Sequence, residues 1–208
     1  MTGPIKRVKG VQIYRPIIYG NKAKPLGNKK DPTSDHTHEW TISVQGINGA
    51  DISHFIKKVT FKLHDTYANP TRVCENPPYE VTETGWGEFE IQIRINFVSE
   101  ANEKAQMFYH HLKIHPYGIE DPEGIVSSFQ YEEVVFNEPM EAMYDILTSN
   151  GNVQVPKERS QGNQWAYRTE LEEADRITTQ LKEVQQKTEE YRHQLIALEK
   201  DAVVLEAK

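Results

Sequence analysis

Phe89, Ile91, Ile93, Ile95 and Phe97 alternate strictly with Glu90, Gln92, Arg94 and Asn96. A side-chain period of two belongs to a strand with one face in an apolar core and the other in water. The same alternation recurs along the chain. His38, Trp40, Ile42 and Val44 share one face, as do Val59, Phe61 and Leu63 against Lys58, Thr60 and Lys62, and Phe108, His110, Leu112 and Ile114. Val8 to Tyr19 and Val126 to Phe136 also read as β segments, and Pro16, which has no N–H to give a ladder, marks an edge or a bulge. Turn-forming stretches separate these runs: a polar loop from Gly20 to Ser34, then Gln45 to Ser53, Asn69-Pro70, Pro77-Pro78, Ser99 to Lys104 and His115 to Glu123. Short strands with turns between them and little helix predict an all-β fold. The expected architecture is an immunoglobulin-like antiparallel β-sandwich from Val8 to Phe136.

After Pro139 the period changes. Met140, Met143, Tyr144 and Leu147 fall at helical spacing and predict a short helix that caps the sandwich. Ser149 to Asn163 has linker composition. From Tyr167 onward the chain is heptadic: Ala174, Leu181, Leu195 and Ala202 occupy one core position, and Ile177, Val184, Tyr191, Leu198 and Leu205 the other. Thr188 alone interrupts the repeat, as a polar core residue that can set register. The expected organisation is therefore a sandwich with its capping helix over residues 1–148, a linker over 149–163 and a coiled-coil helix over 164–208. Whether that helix pairs with another copy or with a different protein stays open.

The single cysteine, Cys74, excludes a disulfide framework or a cysteine-based zinc site within one chain and fits a reducing compartment. No run of eighteen apolar residues exists, and Met1-Thr2-Gly3-Pro4 has no signal-peptide character, so a soluble intracellular protein without membrane contact is expected. The net charge of −7 is uneven. Residues 1–30 hold Lys6, Arg7, Lys9, Arg15, Lys22, Lys24, Lys29 and Lys30 and no acid. The acidic remainder favours basic partners and opposes non-specific DNA binding, so weak or no direct DNA binding is expected. The basic residues read as a solvated terminal arm.

Motifs for catalysis are missing. There is no nucleophile elbow, phosphate loop, dinucleotide fingerprint or His-Glu-x-x-His pattern, and the His36/His38 pair lacks the further ligands zinc requires. No enzyme activity, metal or cofactor is expected. What remains is aromatic and loop-borne. His64, Thr66 and Tyr67 leave one strand; Gly85, Trp86, Gly87 and Phe89 form a turn before another; His36 opens a third. Brought to one pole of the sandwich, they would build an aromatic-walled slot with the Thr66 hydroxyl and the Trp86 backbone N–H as donors. Such a slot suits a flat, neutral, polar group, because a buried amide carbonyl left without a donor costs about 1–3 kcal/mol. The alternative is that these aromatics merely plug the end of the sandwich.

At these residues the chain resembles the YEATS family. The resemblance rests on His36-Thr37-His38-Glu39-Trp40, Lys62 to Tyr67, Asn69 to Val73, Pro77 to Val81 and Thr82 to Phe89, and runs from about Arg7 to Leu147. The Trp-Gly-Glu-Phe turn and the trailing coiled coil are similar to the GAS-type branch, shared in fungi by a Swr-type remodeller and a NuA-type histone acetyltransferase. The resemblance implies a nuclear reader of acylated lysine, acetyl and possible longer groups such as crotonyl, on histone tails. By position, Tyr67 and Trp86 would grip the acyl amide. The Thr66 hydroxyl and Trp86 N–H would hydrogen-bond it, His64 would support Thr66, His36 and Phe89 would line the channel, and Gly85 and Gly87 would let the turn approach. Many members carry serine at the Thr66 position; the extra methyl narrows the slot. The partners implied are acylated histone tails and, through the coiled coil, subunits of remodelling and acetyltransferase complexes or a homodimer. The rival reading is a scaffold subunit that assembles complexes without reading a tail.

Overall fold

The computed structural model describes residues 6–27, 33–116, 121–150, 157–159 and 165–206, with side chains to residue 200. The chain divides into two compact units, Met1–Gln154 and Val155–Lys208; most of the expected linker lies outside the described residues.

The first unit is built from β1 (Gln12–Pro25), β2 (His38–Gly46), β3 (Ile56–Lys62), β4 (Thr71–Cys74), β5 (Tyr79–Gly85), β6 (Glu90–Phe97), β7 (Gln106–His111) and β8 (Val126–Asn137). They form two four-stranded sheets, ordered β5-β2-β1-β8 and β4-β3-β6-β7. Every neighbouring pair is antiparallel. The alternation anticipated from sequence places the inward faces of both sheets on one core. Ile42, Val59, Phe61, Ile91, Ile93 and Ile95 are fully buried, with Trp40 at 1% exposure. Burying each such side chain contributes about 1.5–3 kcal/mol.

Three expectations about the first half are corrected. The stretch from Gly20 onward is strand rather than loop as far as Pro25, because β1 runs on through it between β2 and β8. Its polar residues find partners inside: buried Asn21 donates from Nδ2 to the Lys113 carbonyl at 2.7 Å and accepts from the Lys113 N–H at 3.0 Å. Pro16 lies in this central strand, not in an edge strand. Pairing with β2 stops at Ile17↔Gly46, so Pro16 sits one residue beyond that ladder, where β1 has a neighbour only in β8. Nor are the basic residues all a solvated arm: Arg15 is buried and three others are paired, while Lys29 and Lys30 lie outside the described residues. Lys6 pairs with Glu141 at 2.5 Å, Arg7 with Glu103 at 3.0 Å and Lys24 with Glu39 at 2.7 Å.

The short helix α1 (Glu141–Ser149) follows Met140 and buries Met143 and Leu147. Arg15, itself buried, donates to the Leu147 carbonyl and, at 2.8 Å, to the Tyr14 carbonyl. The last carbonyls of a helix lack internal partners and favour a cation, so this contact fastens α1 to β1. The second unit carries α2 (Tyr167–Glu206). Its heptad residues Ile177, Leu181, Val184, Tyr191, Leu195 and Leu198 are exposed. No helix among the described residues is long and apolar enough to cross a membrane.

Candidate functional site

Antiparallel pairing of β2 with β5 aligns His38 with Gly85. The Thr37 N–H donates to the Gly85 carbonyl at 3.0 Å, which extends the ladder to the end of the sandwich. The 63–70 loop between β3 and β4 reaches the same pole. Its Tyr67 hydroxyl donates to the Thr84 carbonyl at 3.1 Å. Gly85, anticipated as part of the turn, therefore belongs with Thr82 to Thr84 in β5, and the turn proper begins at Trp86.

The expected residues do come together here. His64 Nδ1 lies 3.0 Å from the Thr66 hydroxyl. Ring centroids are 5.6 Å apart for Tyr67 and Phe89 and 5.9 Å for His64 and Phe89. His36 joins through Nδ1, 2.6 Å from the Thr84 hydroxyl. Trp86 follows Gly85 directly and is 63% exposed. Gly85 is glycine for a steric reason: a Cβ there would stand 2.4 Å from the Tyr67 hydroxyl oxygen. A Cβ at Gly87 would meet nothing within 4 Å, so the surrounding protein places no such demand on that position.

Three further residues organise the pole. Trp40 packs edge-on against Tyr67 at 5.8 Å and Phe89 at 5.9 Å; such pairs add about 0.5–1.5 kcal/mol beyond area burial. Among the described residues its buried indole N–H meets no acceptor at normal hydrogen-bond geometry. Arg72 clamps the 63–70 loop. It donates to the Ala68 carbonyl at 2.8 Å and the Asn69 carbonyl at 2.6 Å while pairing with Glu83 on β5 at 2.6 Å. Asn69 holds φ +52°, a left-handed conformation that asparagine tolerates. Glu88 accepts from the Ile114 and His115 N–H groups at 2.9 and 3.1 Å and lies 3.3 Å from Lys113 Nζ, which ties the turn to the segment after β7. In sequence, Trp40 reads as core and Glu88 as one residue of a solvated strand face. All three fall inside the stretches that carry the family resemblance, but only the strand periodicity at Trp40 gave one of them a place from the residues themselves.

Burial pushes the Tyr67 hydroxyl above its ordinary pKa, offset in part by the Trp40 indole, so the phenol stays neutral. Burial also lowers His38, helped by His115, whose ring stacks edge-on at 5.3 Å. For Glu88 burial opposes ionisation, but the donors from Ile114, His115 and Lys113 outweigh it and hold the carboxyl below its usual range. Glu83 and Glu88 are thus occupied by partners, while Asp65 in the 63–70 loop and Asp35 beside His36 are exposed. A cage for a free ammonium uses aromatic faces and usually carboxylates; Glu83 and Glu88, engaged elsewhere, are not free to complete one. Among the described residues, no group of three or more His, Cys, Asp or Glu side chains could hold a metal ion.

The sandwich and its aromatic pole define a small immunoglobulin-like binding module. A model of the YEATS family matches residues 35–116. The Protein AF-9 homolog of Schizosaccharomyces pombe is 48% identical over 206 residues, covering 94% of this chain and 95% of that protein. That of Saccharomyces cerevisiae is 44% identical over 217 residues and covers 96% of each. The chain belongs to the YEATS family. Among solved structures, the Yaf9 YEATS domain bound to H3K27ac is 54% identical with a TM-score of 0.62, covering 71% of this chain and 99% of that one. A second, the Yaf9 YEATS domain recognising an H3K122suc peptide, has the same identity and coverage with a TM-score of 0.61.

Proposed function

We propose that this chain reads acylated lysine on histone tails, through the slot formed by His36, His64, Thr66, Tyr67, Gly85, Trp86, Gly87 and Phe89. The observation that carries the proposal is the half-exposed aromatic pole, at which His64 holds the Thr66 hydroxyl and the exposed Trp86 ring follows the Gly85–Tyr67 contact. The 54% identity to domains bound to acetylated and succinylated H3 peptides supports it.

In this reading the acyl amide lies flat between Tyr67 and Trp86. Its carbonyl accepts from the Thr66 hydroxyl and the Trp86 backbone N–H. His64 accepts or donates at Nδ1 according to its tautomer and thereby orients that hydroxyl. An acylated lysine has lost its charge, which matches a slot walled by aromatic rings with Glu83 and Glu88 already paired. The protein binds without chemical turnover, acts in the nucleus as a chromatin-complex subunit, and uses α2 to associate with other chains.

The test is a calorimetric titration of the full chain with matched H3 tail peptides that are unmodified, trimethylated, acetylated, crotonylated or succinylated at one lysine. Acyl-selective binding is expected, on the order of micromolar to millimolar, and Tyr67→Ala and Trp86→Ala should each weaken it at least tenfold, about 1.4 kcal/mol or more. Equal affinity for all peptides would overturn the reader and leave the scaffold role.

A further inference from the structure

Strand β7 ends its sheet, and its outer edge is open. The Leu112 N–H donates to the Phe89 carbonyl at 2.8 Å. Bonded and non-bonded pairs alternate along an antiparallel ladder, so His110↔Ile91, Phe108↔Ile93 and Gln106↔Ile95 are the bonded pairs of β7 with β6. Met107, Tyr109 and His111 therefore turn their N–H and C=O groups away from β6. Lys113 is next in that outward set, and there Asn21 does what a strand would do. It accepts from the Lys113 N–H at 3.0 Å and donates to the Lys113 carbonyl at 2.7 Å. Nothing among the described residues does the same for Met107, Tyr109 and His111. We propose that this edge takes up an extended segment of another protein as an added antiparallel strand, one with apolar side chains at alternate positions and acidic residues that reach Arg94 and Lys104.

The other edges of the sandwich are guarded and this one is not. Exposed edge strands are normally blunted by charge, by proline or by shortness. β8 carries Glu132 and Glu133, β5 carries Glu80 and Glu83 just after Pro77-Pro78, and β4 is only four residues long. β7 reads Gln106-Met107-Phe108-Tyr109-His110-His111, with no Lys, Arg, Asp, Glu or Pro. It is the edge strand with nothing in its sequence to repel a further strand.

The side chains around the edge specify the occupant. Met107 and Tyr109 lie on the outer face of the sheet, 43% and 54% exposed. Residues directly opposite in an added strand pack against them on that face, which calls for apolar side chains at every second position. Arg94 stands cross-strand from Met107, and exposed Lys104 lies just before β7; neither has an ion pair among the described residues. Their charge calls for carboxylates and opposes a basic histone tail. It opposes a second copy of β7 as well, because pairing two such edges about Tyr109 would bring Lys104 of one copy beside Lys113 of the other. A nucleic acid has no backbone amides or carbonyls with which to continue the ladder, and the net charge of −7 repels it.

Amide hydrogen exchange of the isotope-labelled full chain, read by NMR, tests this with a defined probe: a short peptide alternating valine and threonine, with paired glutamates at each end. In the free protein the Met107, Tyr109 and His111 amides should exchange faster than those of Phe108 and His110 by about tenfold or more, and the peptide should slow them by a similar factor. Valines packed beside Met107 and Tyr109 direct their own N–H groups at β7. Methylating the valine amides should therefore abolish protection, while methylating the threonine amides should leave it within about threefold. Lysines in place of the glutamates, or Arg94→Glu in the protein, should weaken peptide binding about tenfold and leave acyl-peptide binding unchanged. Slow exchange of the three amides before peptide is added would show that the edge is already covered. That result, no protection at millimolar peptide, equal effects of the two methylated peptides, or equal protection by the lysine peptide or by a thymidine oligonucleotide would each overturn the proposal.

Discussion

The β-sandwich and α2 obey one rule and meet different fates. Both segregate apolar residues by period, two residues in β6 and seven in α2. Yet Ile91, Ile93 and Ile95 are fully buried, while Leu181 and Leu195 are 56% and 57% exposed. An apolar period specifies a face to be covered, not the element that covers it. In the sandwich the cover lies in the same unit; along α2 the apolar stripe is left exposed among the described residues.

The sharpest way to break this comparison is to truncate one residue on each side of it. Ile93→Ala should cost about 2–5 kcal/mol in the urea unfolding of the sandwich, because its cavity has no route to solvent. Leu195→Ala should leave that transition in place and weaken association instead. Equal loss of sandwich stability in both variants would mean that the two units share a core.

Next in size is an effect of pH confined to the sandwich. His110 is 1% exposed, and its Nε2 lies 2.8 Å from Asn21 Oδ1, which also accepts the Lys113 N–H. Asn21 Oδ1 has no proton to give, so the imidazole donates from Nε2, and buried Nδ1 has no partner among the described residues. Burial, with smaller contributions from His111 and Lys113, lowers its pKa from 6.5 to about 4. Because the folded value lies below the unfolded one, the stability this group contributes is complete above pH 6.5 and is lost as the pH falls toward 4. The loss should be on the order of 2–3 kcal/mol. Urea midpoints measured across that window should fall steeply in the parent and more gently in His110→Gln, while helicity of α2 stays level.

A smaller and more local effect sharpens the comparison at the slot. Gly85→Ala would place a methyl carbon 2.4 Å from the Tyr67 oxygen unless the ring moves. Displacing Tyr67 from the Thr84 carbonyl should reduce acyl-peptide affinity about tenfold, roughly 1.4 kcal/mol. Tail binding at parental strength in a folded Gly85→Ala protein would show that Tyr67 is not a wall of the slot.

Much of this architecture is legible from residue order. The faces of β2, β3 and β6, the short helix with Met143 and Leu147 inward and the long C-terminal helix follow from local period and turn chemistry, whereas the grouping of His64, Thr66, Tyr67, Gly85, Trp86 and Phe89 is implied by the family resemblance. The four-residue strand β4 was too short to show a period, and β1 beyond Gly20 looked like loop because its composition is polar.

What the amino-acid order determined by itself is which side of each element is apolar, because side-chain direction repeats with the backbone and needs no distant contact. What only the tertiary structure decided is where polar residues find partners. Asn21 is a core residue because His110 lies opposite it, 89 positions away. Arg15 is buried because the end of α1 offers it a carbonyl. Gly85 must be glycine because a loop from another sheet delivers Tyr67 to within contact. Burial of a polar group is stable only when a partner arrives to satisfy it, and that pairing is a property of the packed whole.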